Sequence, residues 1–261
     1  MNVYTLLHVP REELLDSCTI LFKSFRTGFP TAKLIVGIND TGVDHNLIAE
    51  RIPADAFIQL RHEINRNWEH SEFIETMLRT HPAEDGPAVF LDPDVILWEK
   101  VEHWTFPTLL AGNVIPQHWC DSTRCISVPR IHTSFLWVTD PVALRAKLET
   151  TFEFASSIQP FNPFAPQVLF KQGQAVFYDN CANLFQALGG TPFSPEHLNA
   201  YEHLHSASCY DLALASIQNK EGFKWVHSEG VKNWTSLRGL LQASQARYYR
   251  DKQIEGLVRA G

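Results

Sequence analysis

The chain has 261 residues, of which 44% are hydrophobic, and a formal net charge of -7 at pH 7. It is long enough for one large α/β domain or two small ones, and we expect one domain over residues 1–261; the acidic balance without a Lys/Arg-rich run disfavours nucleic acid. The first 30 residues hold no basic segment followed by a long apolar one, and no window approaches ~18 uninterrupted apolar residues, which predicts a cytoplasmic protein without a membrane span.

The first two strands flank a helix. Asn2–Val9 is typical of a strand, and a helix opens at Pro10 with proline and acidic residues in its first turn. Ala32–Ile38 is a short apolar strand, and the turn residues Asn39-Asp40-Thr41-Gly42 follow it. The helix has one apolar face, formed by Leu14, Cys18, Leu21, Phe22 and Phe25.

The alternation continues to residue 100. Ala56–Leu60 predicts a third strand, Trp68–Arg79 a helix with Ile74, Met77 and Leu78 inward, and Val89–Leu91 a fourth strand. Strands that alternate with helices predict a mostly parallel sheet with helices on both of its faces.

The fourth strand ends on two carboxylates, in the stretch Ala88-Val-Phe-Leu-Asp-Pro-Asp-Val-Ile-Leu-Trp98. Asp92 and Asp94 are two residues apart, so they point the same way if this segment is extended. Paired carboxylates suit Mg²⁺ or Mn²⁺ that carries a phosphate, because the cation offsets their repulsion. The alternative is a polar turn, where Asp and Pro are common for conformational reasons.

Other polar residues are expected at the same edge of the sheet. Ligands of parallel sheets collect beyond the carboxyl ends of the strands. Asp40 falls at that edge after the second strand, and His8 and Val9 fall there at the end of the first. Together with Asp92 and Asp94, they predict a ligand site.

The middle of the chain is less regular. Leu109–Ile115 and Thr133–Val138 predict strands, and Pro141–Leu148 predicts a helix. Gln117–Arg130 between them is interpreted as an irregular excursion over the site. The five cysteines include no Cys-x-x-Cys pair, which suits a reducing compartment. Buried thiols and loop histidines are favoured here over a zinc site, whose loosely spaced ligands would be His118, Cys120, Cys125 and His132.

The C-terminal part begins with Phe152–Phe164, interpreted as a packed loop or an acceptor-side loop. Gln167–Leu188 has helical character interrupted at Gly173, and Gly189-Gly190 stops it. His203 and His205 are two residues apart, so on an extended segment both could complete a cation's shell with a neutral nitrogen; structural histidines are the alternative. Trp234–Arg259 is typical of a solvated helix.

This order of acid-terminated strands resembles the nucleotide-sugar-dependent glycosyltransferases of the GT-A fold, whose Asp-x-Asp motif ends a central strand. Asp92-Pro93-Asp94 matches that motif. The segments Trp68–Phe73, Arg130–Trp137 and Tyr201–Leu204 also look like parts of bacterial and viral members.

The resemblance implies a GT-A-like fold with a nucleotide-binding half, 1–100, and an acceptor-side half with a tail, 101–261. It implies transfer of a hexosyl or pentosyl group from a nucleoside-diphosphate sugar, most commonly a UDP-sugar, to an acceptor hydroxyl, with Mn²⁺ or Mg²⁺. In this scheme Asp40 contacts the base, Asp92 serves the ribose or a metal-bound water, and Asp94 ligates the metal. A further metal ligand is His203, or alternatively His205.

The sequence departs from the pattern at the catalytic base. No acid declares itself as an inverting base, so the stereochemistry stays open, and Asp179 is an acceptor-side candidate against a helix-surface or capping role. The alternative enzyme is a haloacid-dehalogenase-like Mg²⁺-dependent phosphatase, which also uses Asp-x-Asp, but near its first strand. A catalytically inactive sugar-nucleotide-binding protein is the third reading.

Overall fold

The computed structural model describes residues 1–8, 20–39, 43–59, 70–93, 95–120, 125–152, 163–171 and 174–203. The start of the predicted helix at Pro10 lies outside these residues, as do the turn at Asp40, most of the Phe152–Phe164 loop and the Trp234–Arg259 tail.

The strands of the described part are, in chain order, β1 (Asn2–Leu7), β2 (Lys33–Ile38), β3 (Ala56–Gln59), β4 (Ala88–Leu91), β5 (Val95–Leu97), β6 (Leu110–Ile115), β7 (His118–Cys120), β8 (Cys125–Ser127), β9 (Arg130–Val138), β10 (Gln167–Lys171), β11 (Gln174–Tyr178), β12 (Thr191–Pro192) and β13 (Tyr201–His203). Its helices are α1 (Ile20–Gly28), α2 (His45–Arg51), α3 (His70–Thr80), α4 (Pro141–Phe152), α5 (Ala182–Leu188) and α6 (Pro195–Asn199), with a 3-10 turn at Ala83–Asp85.

Among the described residues, seven strands form the main sheet, in the order β12-β6-β9-β4-β1-β2-β3. β1 runs parallel to both β2 and β4, β2 is parallel to β3, and β12 is parallel to β6. Only β9 is antiparallel to its neighbours, β4 and β6, within the described sheet. The predicted mostly parallel α/β sheet is therefore confirmed.

Helices cover both faces of this sheet, as predicted. Side chains that alternate along β1 and β4 separate two cores, with Val3 and Val89 on one side and Tyr4 and Phe90 on the other. The first core takes in α1 and α2 through Leu21, Phe22, Phe25 and Ile48. The second takes in α3, α4 and α5 through Phe73, Ile74, Met77, Leu78, Leu144 and Leu184. Each such side chain contributes roughly 1.5–3 kcal/mol when fully buried.

One glycine sets how closely α3 lies on the sheet. A Cβ atom at Gly37 in β2 would overlap the ring of Phe73. Phe73 is 1% exposed and packs edge to face on Phe90. His70 is the first residue of α3. The close packing of this helix on β2 therefore also helps to position His70 at the carboxyl edge of the sheet.

Two sequence interpretations are wrong. Gln167–Leu188 begins with a strand hairpin, since β10 and β11 pair antiparallel from Gln167 with Tyr178 to Lys171 with Gln174. Among its described residues, helix is confined to α5. The physical reason is that the two short apolar runs on either side of Gly173 are rich in β-branched and aromatic residues, which favour strands. Gln117–Arg130 is not wholly irregular, because β7 and β8 pair within it and join β11 and β10 in a second sheet.

Two of the described helices, α2 and α6, were not predicted. α2 is short and buries only Ile48 among its own residues, so it carries little helical periodicity. The available signal was its N-cap, where the Asp44 side chain accepts a hydrogen bond of 2.8 Å from the Asn46 N–H. By contrast, the predicted stop of α5 is confirmed, since Gly189 caps it with φ 67°.

Candidate functional site

Asp92 lies immediately after β4, at the carboxyl end of a central strand. Its N–H donates a 2.9 Å hydrogen bond to the Ser134 carbonyl of β9, and its own carbonyl accepts one of 3.2 Å from the Val95 N–H. The backbone is therefore fixed on both sides of the residue. Its side chain is 23% exposed, so the carboxylate faces a partly solvated recess.

Two imidazoles flank the Asp92 carboxylate, one at each oxygen. Nε2 of His203 lies 3.5 Å from Oδ2, and Nε2 of His70 lies 3.6 Å from Oδ1. The His203 side chain is 12% exposed and that of His70 26%. These separations are longer than those of side-chain hydrogen bonds, and each contact is an ion pair only when its imidazole is protonated. The three side chains come from β13, α3 and the end of β4, so the fold assembles them from distant parts of the chain.

His203 is positioned by a small two-stranded sheet. β13 pairs antiparallel with β5, with Tyr201 opposite Leu97 and His203 opposite Val95. Tyr201 anchors this strand in the apolar core, where its ring lies 4.8 Å from that of Phe135. Burial raises the pKa of Tyr201 to about 12. With the first residue of β13 held in this way, the last one faces the exit of β4.

An irregularity in β9 places further polar residues at the same edge. The β6–β9 register passes from Gly112 opposite Leu136 to Val114 opposite Ile131, which is two residues along β6 but five along β9. The extra residues of β9 lie in the segment that contains His132 and Thr133. Bulges of this kind often re-aim side chains next to active sites.

The bulge brings a third imidazole to the cluster. The rings of His132 and His203 have centroids 5.2 Å apart. Nδ1 of His132 accepts a 3.2 Å hydrogen bond from the Ser134 N–H and lies 2.8 Å from the Ser134 hydroxyl oxygen. A nitrogen that accepts from a backbone N–H carries no proton, so a neutral His132 ring has its proton on Nε2. Separately, Nδ1 of His70 lies 3.4 Å from Oγ1 of Thr133.

The structure brings together Asp92 and His203, two of the residues selected from the sequence. His8 is exposed next to the end of β1, where the Asn39 N–H donates to the Leu7 carbonyl at 2.8 Å. Val9, Asp40, Asp94 and His205 lie outside the described residues. The roles given to all of these residues stay predictions.

His70 was not selected from the sequence as a site residue, and His132 was weighed only as a ligand of the disfavoured zinc site. Each lies in a segment that carries the family resemblance. Nothing in local spacing links either residue to Asp92, because the link depends on helix packing and on the bulge in β9.

Asp179, the acceptor-side candidate, follows β11 and pairs with Arg130. Its Oδ2 lies 2.8 Å from Nη2 of Arg130, and its Oδ1 accepts a 2.8 Å hydrogen bond from the Asn180 N–H. The Arg130 side chain is 13% exposed and also donates to the Ser127 hydroxyl at 3.1 Å. These contacts tie the second sheet to β9. The catalytic role of Asp179 stays a prediction.

Within the described residues, no three His, Cys, Asp or Glu side chains are grouped so that they could hold a metal ion. Cys120 and Cys125, two of the zinc ligands considered above, are register partners of β7 and β8. Among the same residues, no helix is long and apolar enough to cross a membrane.

Comparison with known proteins gives structural neighbours alone. No protein-family model matches the chain, and no curated protein matches it. The galactosyltransferase LgtC, solved with donor and acceptor sugar analogues, is 10% identical over 74% of this chain and 73% of its own, with a TM-score of 0.39. The glycosyltransferase GlyE of Streptococcus pneumoniae is 10% identical over 85% of this chain and 51% of its own, with a TM-score of 0.41.

A third neighbour is the mannosyltransferase PcManGT of Pyrobaculum calidifontis, solved with GDP-Man and Mn²⁺. It is 12% identical over 99% of this chain and 73% of its own, with a TM-score of 0.38. A 4-diphosphocytidyl-2C-methyl-D-erythritol synthase of Anaerococcus prevotii is 9% identical, with a TM-score of 0.42. GT-A-type glycosyltransferases are thus among the structural neighbours, as the resemblance implied, but likeness at this level carries no argument about the reaction.

Proposed function

We propose that this chain is a metal-dependent glycosyltransferase that moves a sugar from a nucleoside-diphosphate sugar, preferably a UDP-sugar, to an acceptor hydroxyl. The observation that carries the proposal is the contact between Asp92 and His203. A carboxylate at the carboxyl end of a central parallel strand meets an imidazole delivered by a strand far along the chain. Such edges of parallel sheets are where α/β proteins bind their ligands.

The separation of Asp92 and His203 suits two ligands of one divalent cation. Two ligands of one octahedral ion lie about 3 Å apart when each is about 2.1 Å from it, and the Asp92 and His203 atoms are 3.5 Å apart. Small movements would therefore let both side chains serve the same ion. A mixed oxygen and nitrogen set suits Mn²⁺, with Mg²⁺ as the alternative. The cation would stabilise the negative charge that the diphosphate gains as it leaves the sugar.

The side chains of the site take different roles in this proposal. Asp94 binds the cation directly, while Asp92 serves the donor ribose and lies close enough to His203 to share the cation with it. His203 completes the coordination from the C-terminal side, with His205 as the alternative. Asp40 contacts the nucleobase, beside His8 and Val9 at the end of the first strand.

On the acceptor side, Asp179 is the proposed acid. It would have to act while its carboxylate is paired with Arg130.

The decisive experiment is calorimetry of the full chain with UDP, GDP, CMP and dTDP, each with and without Mn²⁺. We expect one nucleotide to bind more tightly with Mn²⁺ in the wild type. The gain should be lost in Asp92→Asn and His203→Ala and kept in the matched control His103→Ala, since His103 is an exposed histidine outside the cluster. The proposal is wrong if no nucleotide binds better with metal.

Two further readouts address the alternatives. Metal-dependent release of phosphate from p-nitrophenyl phosphate, without nucleotide binding, would favour the phosphatase. Metal-dependent binding of a donor sugar that is neither hydrolysed nor transferred would favour an inactive sugar-nucleotide-binding protein.

A further inference from the structure

We propose that His70 is a positioning residue that holds the Asp92 carboxylate in the orientation needed for binding the cation and the donor. The inference rests on the proposed function and adds to it a residue from the opposite side of the site. Its basis is the arrangement of His70 between Asp92 and Thr133.

The Asp92 carboxylate has a different neighbour at each oxygen. Oδ2 faces Nε2 of His203 and Oδ1 faces Nε2 of His70. A nitrogen that faces a carboxylate is attracted to it only when it carries a proton, because the carboxylate is purely an acceptor. His70 therefore offers its Nε2–H to Oδ1. The other oxygen, Oδ2, faces His203 on the opposite side of the carboxylate.

Thr133 completes the support of the His70 ring. With the proton on Nε2, Nδ1 of a neutral ring is an acceptor, and the Thr133 hydroxyl oxygen lies 3.4 Å from it. Thr133 belongs to the bulged part of β9. The ring is therefore set between two strands of the sheet, with β9 on one side and the exit of β4 on the other.

Both His70 and Asp92 lie on backbone that is held in place by the surrounding structure. α3 carries His70 at its first position and buries Phe73, Ile74, Met77 and Leu78 against the sheet. Asp92 is tied through its N–H to Ser134. Partial burial also matters, since a contact that is shielded from water competes less with water than an exposed one, and these side chains are 26% and 23% exposed.

The 3.6 Å separation is longer than a hydrogen bond, and we expect it to shorten when the donor and the cation bind. Functional hydrogen bonds are often long in the absence of substrate and tighten when it binds. Groups that orient metal-ligating or substrate-binding carboxylates typically change metal affinity 10–100-fold when removed. We therefore expect His70→Ala to weaken binding of Mn²⁺ by about that factor.

The test measures the affinity of the full chain for Mn²⁺ in the presence of UDP, from the electron paramagnetic resonance signal of free Mn²⁺. We expect His70→Ala to bind Mn²⁺ at least about tenfold more weakly. His70→Gln should recover much of the loss, because its amide N–H reaches a similar position. Thr133→Val, which removes only the hydroxyl, should have a smaller effect in the same direction. His103→Ala should match the wild type.

The outcomes separate this inference from the proposed function. If the wild type itself binds no Mn²⁺ with any of the four nucleotides, the proposed function fails and takes this role with it. If the wild type binds and His70→Ala binds equally well, only the positioning role is wrong. If His70→Ala does not fold, Thr133→Val decides, and an affinity for Mn²⁺ equal to that of the wild type in Thr133→Val would count against the role.

A second measurement depends on neither metal nor activity. Long-range proton–nitrogen NMR of the imidazoles, with His70 assigned by its loss in His70→Gln, reports which ring nitrogen holds the proton. We expect a protonated Nε2 in the wild type and a changed Nε2 signal in Asp92→Asn. An unprotonated Nε2 of His70 would overturn the inference.

Discussion

The hydroxyl of Tyr4 lies 2.8 Å from Nδ1 of His81, in the buried region below the amino ends of the central strands. Nε2 of the same ring lies 2.9 Å from the Gly86 carbonyl, which only accepts. Nε2 therefore carries the proton, and Nδ1 accepts from the Tyr4 hydroxyl. Tyr4 in turn receives a 3.2 Å hydrogen bond from the Asn2 side-chain amide. This network requires a neutral His81.

The first prediction concerns pH and stability. Burial lowers the pKa of His81 below 6.5 in the folded protein, so the unfolded chain takes up a proton first. The free energy of unfolding should be highest above pH 6.5 and should fall as pH drops from 6.5 toward the folded pKa. Urea unfolding between pH 8 and pH 5 measures this. His81→Asn should flatten the profile and cost about 1–3 kcal/mol at pH 8, since Tyr4 loses a buried partner.

The lowered pKa of Asp85 also makes the free energy of unfolding fall as the pH drops, but in a lower pH range than His81 does. The Asn2 amide and the Lys33 ammonium hydrogen-bond to its carboxylate and stabilise the charged form, so its contribution is lost only as pH falls below 3.8. The two effects therefore separate along the pH axis. A wild-type profile without slope between pH 6.5 and pH 5 would contradict the role of His81.

The second prediction is that Gly37→Ala destabilises the fold by about 1–3 kcal/mol, the usual cost of overpacking. The added methyl group would meet the Phe73 ring and push α3 away from β2. Urea unfolding at pH 7 gives the loss. The double variant Gly37→Ala, Phe73→Leu should lose less than the sum of the two single variants, because the shorter side chain makes room. Strict additivity would show that the two positions do not interact.

The third prediction distinguishes the two late histidines. Since β13 places His203 beside Asp92, His203→Ala should raise the metal concentration needed for half-maximal turnover, by about 10–100-fold if imidazole serves the cation. His205→Ala should raise it less. Thermal unfolding of both variants controls for loss of fold. Unchanged metal dependence in both would remove histidine from the site, and the larger effect in His205→Ala would exchange their roles.

The fourth prediction is that Asp94 is needed for metal-dependent turnover but not for the stability of the fold. Asp94→Asn should abolish metal-dependent turnover with little change in the free energy of unfolding, because a carboxylate at a strand exit contributes little to packing. Turnover and urea unfolding are measured on the same preparation. Full activity in Asp94→Asn, or a protein that no longer folds, would show that the assigned role is wrong.

The parallel part of the main sheet could be predicted from the sequence, because local hydrophobic patterns encode its strands. β1, β2 and β4 are short apolar runs in a βαβ order, and this order alone implies a parallel sheet with Asp92 at its carboxyl edge. The hairpin of β10 and β11 was missed because its short apolar runs fit a helix period about as well as a strand period. The cluster around Asp92 was predicted only in part. His203 stood out through its spacing from His205, whereas His70 reaches Asp92 through the packing of α3, which no local pattern encodes.

The fifth prediction concerns Cys181, the residue that precedes α5. It has φ 60°, is 2% exposed, and its N–H donates to the Phe164 carbonyl at 2.9 Å. Burial raises the pKa of its thiol to about 12, and the nearby Asp179 carboxylate adds to the rise. Because the thiolate is the reactive form, Cys181 should resist iodoacetamide in the native protein at pH 8 and react once the chain is denatured. Mass spectrometry of the peptide that contains Cys181 measures both states, with Cys181→Ser as the control for peptide assignment. Rapid native labelling of this thiol would mean that α5 and the end of β11 open far more readily than their burial implies.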